Sequence, residues 1–324
     1  MRYDERLVVK VAMLYYLRDL DQDEIAHRLN LSRQSVSRHL KRARESGIVR
    51  FTINSPNEIT FAELELELET AFDLKAAVIA PVNVNVDDLI KDAIGKYAAG
   101  FIEQSVRDGD VFGVSWSSTV LACAQNLKNN GVKDLTICQL NGSMDVADFS
   151  TRAEFIISKM AAVFKAKTIS LAVPMLVDSP EILNSIMADT RIRNSFETAQ
   201  RASVGVFGIG SINQKSSLYQ TGYMSQRILD ELRERRAVGD IAGHFFDIHG
   251  EICDQLLESR TLAVPKETFR SMRLSIALAG GEHKLEAIEG ALAGKWCNAL
   301  VTDETTAQSL LRRRNAKAST ALGA

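Results

Sequence analysis

Seven side chains in one short stretch can read or grip a nucleic acid: Arg33, Gln34, Ser35, Ser37, Arg38, Lys41 and Arg42. Arginine pairs bidentately with guanine, glutamine with adenine, and serine adapts to either. The first five fall in the opening two turns of a helix that starts after Ser32, where a recognition helix meets base edges. Lys41, Arg42 and Arg44 lie further along and suit phosphates. Between Ser32 and Arg50 six basic residues stand against one acid, Glu45. A solvated basic helix would show the same charge, so the surrounding signals decide.

Those signals describe two crossed helices. Asp21 is a good N-cap with Glu24 three residues on, the pattern of a capping box. Ile25 and Leu29 repeat at i,i+4. Asn30 and Leu31 break the run, Ser32 caps the next helix, and Val36 and Leu40 form its apolar face. Gly47 fits the residue after the helix end. Helices joined this tightly form a helix-turn-helix. His27 falls on the exposed side of the first. An earlier helix over 5–18, with Leu7, Val11 and Leu14 on one side, completes a three-helix core of the winged type. Residues 48–53 can supply the wing strand and 54–57, with Pro56, a turn.

Other polar groups cluster where strands should end. From Ala76 short apolar runs alternate with amphipathic ones. Strands are expected at 76–81, 111–115, 135–140, 168–173, 203–208, 262–264, 271–277 and 300–302. Helices are expected at 86–107, 119–129, 150–164, 181–187, 225–235 and 284–293. Such alternation gives a mostly parallel sheet covered on both faces. Ligands bind at the carboxyl ends of its strands. There the chain places Ser117, Ser118 and Thr119 at a helix start, a ready anion site. It also places Asn141, Gly142 and Ser143 after one strand and Gly210 and Ser211 after another. Lys284 follows Gly280 and Gly281 and can hold a phosphate as a point charge. Asp247, between His244 and His249, can accept hydrogen bonds from sugar hydroxyls. Two histidines and an acid at these spacings match no metal template, so neither metal nor cofactor is expected.

Composition sets the frame. The chain has 324 residues, room for a small domain and a large one. Residues 1–60 carry a net charge of +3 and the rest −5, so a basic head precedes an acidic body. The four cysteines form no CxxC pair, which suits a reducing cytoplasm. No run approaches 18 apolar residues, the length a membrane span needs. Residues 61–74 are ambiguous. Glutamate and leucine alternate with period two, yet Leu64, Leu68 and Phe72 recur with period four. Glutamate and leucine favour helix, so a helix is expected there.

The quoted segments, in this order, resemble those of the SorC family of bacterial regulators, also called sugar-binding-domain regulators. They are SRQSVSRHLKRARESGIVR (32–50), GVSWSST (113–119), QLNGS (139–143), VGDIAGHFFDIHG (238–250) and KLEAIEGALAGKWCNALVTDETTA (284–307). The resemblance implies a helix-turn-helix that binds operator DNA and a Rossmann-like sensor domain. That sensor is similar to sugar-phosphate isomerases and glucosamine-phosphate deaminases. It implies dimers or tetramers and a phosphorylated sugar that alters operator binding. By position, Ser117, Ser118, Thr119 and Lys284 would hold the phosphate and Asp247 the sugar end, with Gly142 and Ser143 bordering the pocket. Relatives often read GVSWGRT, so Ser117 replaces a glycine and Ser118 an arginine or another variable residue. A polyol or unphosphorylated sugar therefore stays open.

The expected organisation is a helix-turn-helix at 1–56, a linker helix at 57–74, an α/β sugar-binding effector domain at 75–310 and a partly disordered tail at 311–324. The expected function is a cytoplasmic, homo-oligomeric regulator of carbohydrate metabolism. Retained isomerase or deaminase activity would need an acid and a base held together, from Asp247, His244, His249, Asp303 and Glu304. The sequence does not bring them together, so a sensor is expected and not an enzyme.

Overall fold

A computed structural model describes residues 5–49, 61–82, 86–143, 153–214, 216–220 and 224–322. The chain divides into two compact units, Met1–Ile59 and Thr60–Ala324.

The first unit packs α1 (Glu5–Arg18), α2 (Gln22–Leu29) and α3 (Arg33–Glu45) around Val11, Ile25, Val36 and Leu40. The caps fall where the sequence places them. Asp21 accepts from the N–H groups of Asp23 and Glu24 at 2.9 and 2.8 Å, and Glu24 accepts in turn from the Asp21 N–H. Ser32 accepts from the Ser35 N–H. Gly47 follows α3 with φ +72°, a left-handed turn that glycine makes without strain. Most of the expected wing strand, and the turn at 54–57, lie outside the described residues.

The second unit is built on a seven-stranded parallel sheet. Its strands are β1 (Ala76–Ala80), β2 (Val111–Val114), β3 (Thr136–Gln139), β4 (Lys167–Ile169), β5 (Val204–Gly208), β9 (Leu274–Leu278) and β10 (Ala299–Asp303). The order across the sheet is β1-β10-β9-β5-β2-β3-β4. Alternate residues point to opposite faces. Val204, Val206, Ile276 and Val301 pack with α5 (Asp87–Ser105), α6 (Ser118–Asn126) and α7 (Ala153–Phe164). Phe207, Ala277 and Leu300 face α4 (Ala62–Phe72), α14 (Leu285–Ala293) and α15 (Glu304–Leu322). Between them run α8 (Pro180–Ala188), α9 (Thr190–Gln200), α10 (Ser217–Gln220), α11 (Gln226–Glu234), α12 (Gln255–Glu258) and α13 (Lys266–Ser271). Among the described residues no helix is long and apolar enough to cross a membrane.

Three features depart from the sequence reading. Residues 262–264 form no strand; Ala263 makes only an isolated bridge to Asn141, because the run is too short for a ladder. No strand is expected between 208 and 262, yet β6 (Gly210–Ser211), β7 (Gly239–Ile241) and β8 (His244–Phe246) pair into a small antiparallel sheet. The tail expected to loosen from 311 continues α15 to Leu322. Arg313 and Lys317, one turn apart on α15, both grip the buried Glu289 of α14, at 2.6 and 2.9 Å.

The helix expected between head and body forms as α4. It lies along β1, the open edge of the sheet. The Ala77 N–H donates to Glu69 Oε1 and the Ile79 N–H to Glu65 Oε1, both at 2.9 Å. Four helical residues rise ~6 Å and two strand residues ~6.6 Å, so glutamates at i,i+4 meet strand N–H groups at i,i+2. This match explains the two conflicting periods of AELELELET. Burial, and then the nearby Glu69, push the Glu65 carboxyl up against the pull of the Ile79 N–H. Replacing both glutamates by alanine strands two buried donors, at about 1–3 kcal/mol each before water intrudes. In denaturant titration the Glu65→Ala/Glu69→Ala protein should lose about 2 kcal/mol in this unit, with the head transition unmoved. An unchanged midpoint would show that water replaces the carboxylates.

Candidate functional site

The sheet order creates a cleft. From β2 the chain steps to β3 on one side, whereas β5 lies on the other side and leads to β9. The carboxyl ends of β2 and β5 are therefore the switch point, where crossovers diverge and a crevice opens. A cavity of about 110 Å³ sits there. Ser115–Thr119 follow β2, Asn141 follows β3, Gly208–Ser211 end or follow β5, and His283 and Lys284 follow β9.

Each wall has a local cause. Ser117 is the N-cap of α6 and accepts from the Val120 N–H at 3.0 Å. The N–H groups of Ser118 and Thr119 stand ahead of the first helical acceptor and are the positive end of the helix. Gly208 leaves room for Ser117; a Cβ there would lie 2.8 Å from its Oγ. Lys284 ends a 3₁₀ turn (Glu282–Lys284) and donates to the Ile209 carbonyl at 2.9 Å. The β6–β7 pairing brings Asp240 over Gly210, where no side chain would fit beneath its carboxylate. Asp87 and Lys91, on the first turns of α5, complete the rim, with Asp87 3.7 Å from His283.

Burial pushes the Asp240 carboxyl up to about 6, against the pull of Lys284, the Gly243 N–H and His244. Burial and the neighbouring Lys91 push Lys284 down to about 8, against Asp240 and Asp87. The cleft therefore holds an ammonium and a carboxylate near neutral pH, each close to changing charge. It offers donors for an anion on one side and an acceptor for hydroxyls on the other.

Ser117, Ser118, Thr119 and Lys284 thus line one cavity. Gly142, Ser143 and Asp247 do not. Gly142 lies flat against the backbone at Met175, and its carbonyl accepts from the Trp116 indole at 3.3 Å. The Ser143 hydroxyl is engaged by Gln139 and Glu154. Asp247 accepts from the His249 and Glu251 N–H groups at 2.9 and 3.0 Å and only shapes a turn. Asp240, seven residues earlier, lines the cleft with its carboxylate, and Asn141 is the side chain from the β3 loop. Both lie in runs that the sequence singles out, but β6 and β7 are too short for any periodicity to reveal. His244 is structural: it is buried between Glu258 at 2.9 Å and the Val264 carbonyl at 3.0 Å.

In the head, Arg33, Gln34, Ser37, Arg38 and Lys41 are exposed on α3, while Ser35 and Arg42 are half-buried. Arg33 and Lys41 make only exposed ion pairs at 3.7 Å, to Asp23 and Glu45, which contribute little and release easily. Val36, His39, Leu40 and Ala43 form the opposite, buried face. Burial, then Arg38 and Arg42, hold the His39 imidazole below its usual range. His39 was not legible as a core residue, since only its place on the wheel marks it.

Comparison with known proteins settles the family. The sugar-binding domain family matches residues 57–312, and sigma-70 region 4 matches residues 4–46. The chain belongs to the SorC family of transcriptional regulators. It is 33% identical to the sorbitol operon regulator of Klebsiella pneumoniae over 95% of this chain and 98% of that one. It is 32% identical to the deoxyribonucleoside regulator of Bacillus subtilis, covering 96% and 98%. The crystal structure of the full-length Klebsiella SorC superposes with a TM-score of 0.74, at 32% identity over 96% of this chain and 100% of that chain. These relatives are named as regulators, not enzymes, and SorC membership makes this chain a DNA-binding transcriptional regulator with a sugar-binding domain.

The coupling between Asp240 and Lys284 is directly measurable. Asp240 raises the Lys284 pKa, so Asp240→Asn should carry it further below about 8. A pH titration of the lysine side chain by NMR reads this, and an unmoved Lys284 would separate the two groups.

Proposed function

We propose that the protein binds operator DNA through α3 and that a phosphorylated sugar or sugar alcohol in the cleft modulates this binding. The carrying observation is the convergence of the α6 N-terminus, Lys284 and Asp240 on one cavity at the switch point of the sheet. In this reading the phosphate sits at the N–H and hydroxyl groups of Ser118 and Thr119, facing Lys284. Asp240 accepts hydrogen bonds from sugar hydroxyls, the part the sequence assigns to Asp247. Two of the relatives are named for a sorbitol operon and for deoxyribonucleosides, which supports a small polyhydroxylated effector. The protein acts in the cytoplasm as a homodimer or homotetramer. One recognition helix reads few base pairs, so symmetric copies on a palindromic or repeated operator supply the rest. Modulation requires that the effector bind two states of the protein with different affinity.

On DNA, Gln34 and Arg38 read bases while Lys41 and Arg42 hold phosphates. Gln34→Ala should cost about 1–3 kcal/mol at its own base pair and relax specificity there. Lys41→Ala should weaken operator and scrambled DNA alike and flatten the salt dependence. Titrations of both DNAs at several salt concentrations distinguish them, and equal losses for Gln34→Ala would exclude base reading.

For the effector, losing a hydrogen bond to a charged group costs about 1.5–3 kcal/mol. Lys284→Ala should therefore weaken a phosphorylated effector by roughly 10–100-fold and leave operator affinity intact. In the unsubstituted protein the ammonium is present below about pH 8 and lost above it. Effector affinity should accordingly fall as pH rises through about 8, and that fall should be missing in Lys284→Ala. Calorimetric titration of sugar phosphates against the matching free polyols tests the reading. Equal affinity for both would remove the phosphate, and wild-type affinity in Lys284→Ala would remove the lysine.

A further inference from the structure

The loop that delivers Lys284 is tied to a carboxylate outside the cavity. β9 ends at Leu278, and the chain turns through Gly280 and Gly281 into the 3₁₀ turn that carries Lys284. Gly281 has φ +94°, a conformation open to glycine but strained for other residues. Its N–H donates to Asp303 Oδ2 at 2.9 Å and lies 2.8 Å from the Thr306 hydroxyl. That hydroxyl donates to the same carboxylate oxygen at 2.5 Å, and Asp303 Oδ1 accepts from the Thr306 N–H at 2.9 Å. Asp303 and Thr306 are almost wholly buried. A Cβ on Gly280 would strike the carboxylate, so the Gly-Gly pair and Asp303 fit one another. The Lys284 N–H then donates to the Gly281 carbonyl at 3.0 Å, so the residue Asp303 holds also fixes the start of the turn.

We infer that Asp303, together with Thr306, is a positioning residue for Lys284: it clamps Gly281 and so fixes where the ammonium enters the cleft. The inference rests on the reading of Lys284 as an effector contact. The carboxylate touches neither the cavity nor any ligand within it. It is strong in this role because three donors converge on one buried carboxyl group. The same carboxylate caps α15, so one residue holds both the loop and the start of that helix.

Asp303→Asn tests this with little change of shape. It keeps an acceptor for the Thr306 N–H but turns an NH₂ group against the Gly281 N–H. Thr306→Val is the milder second variant, removing only the hydroxyl. The first readout needs no effector. Reductive methylation at pH 8, followed by peptide mass spectrometry, should modify Lys284 several-fold faster in either variant, with Lys91 across the cleft unchanged. The second is a double-mutant cycle with inorganic phosphate as the probe, followed by ³¹P NMR. Asp303→Asn should weaken phosphate about tenfold alone and less than twofold when Lys284 is already alanine, because a residue acting only through Lys284 has nothing left to position. Equal losses in both backgrounds, or unchanged Lys284 labelling in both variants, would overturn the assignment. Unweakened phosphate binding in Lys284→Ala alone would instead overturn the effector reading beneath it.

Discussion

In a sheet whose strands all run one way, every exit loop leaves at the same edge. That constraint builds the cleft. Ser117–Thr119, Asn141, Gly208–Ser211 and Lys284 are far apart in the chain and adjacent in space because β2, β3, β5 and β9 are parallel neighbours. The divergence of crossovers between β2 and β5 opens the crevice, and helices that start at the same edge turn their positive ends toward it. Asp240 arrives by another route, on the small antiparallel sheet that folds over β5's exit. This carboxylate thus belongs to a separate substructure from Ser118, Thr119 and Lys284.

The legible parts of the fold were those set by local chemistry. Asp21, Glu24 and Ser32 mark helix starts within four residues, and α2 and α3 begin where they indicate. Ser117–Thr119 and Lys284 could be found because they follow strongly apolar strands. Asp240 could not, since β6 and β7 have two and three residues and their pairing spans nearly thirty positions. Asp247 looked equivalent because a carboxylate beside aromatics reads the same whether it faces a ligand or closes a turn. The 311–317 stretch lacks a visible apolar stripe because ion pairs to Glu289, and Arg314 over the Phe72 ring at 5.1 Å, hold it in part. Such contacts leave no periodic trace.

The two units also differ in how their charge is arranged. The head keeps its cations on the outer face of α3, in loose pairs that a polyanion can displace. The body buries its important charges, at Glu289, Asp303 and the Asp240–Lys284 cleft, where each has named partners. Exposed charge suits a partner read by attraction over a distance, and buried charge suits one read by fit.

The clasp of α4 on β1 has a bearing on where this protein can be divided. An effector domain begun at residue 75 would look complete by its strands and pockets, yet its first strand would present a bare row of N–H groups. Such an edge is a template for a neighbouring chain. The glutamates of α4 occupy that row, so the helix that appears to belong to the connector is the sheet's own border. A separable sensor, or a graft of this sensor onto another head, has to be cut ahead of Phe61.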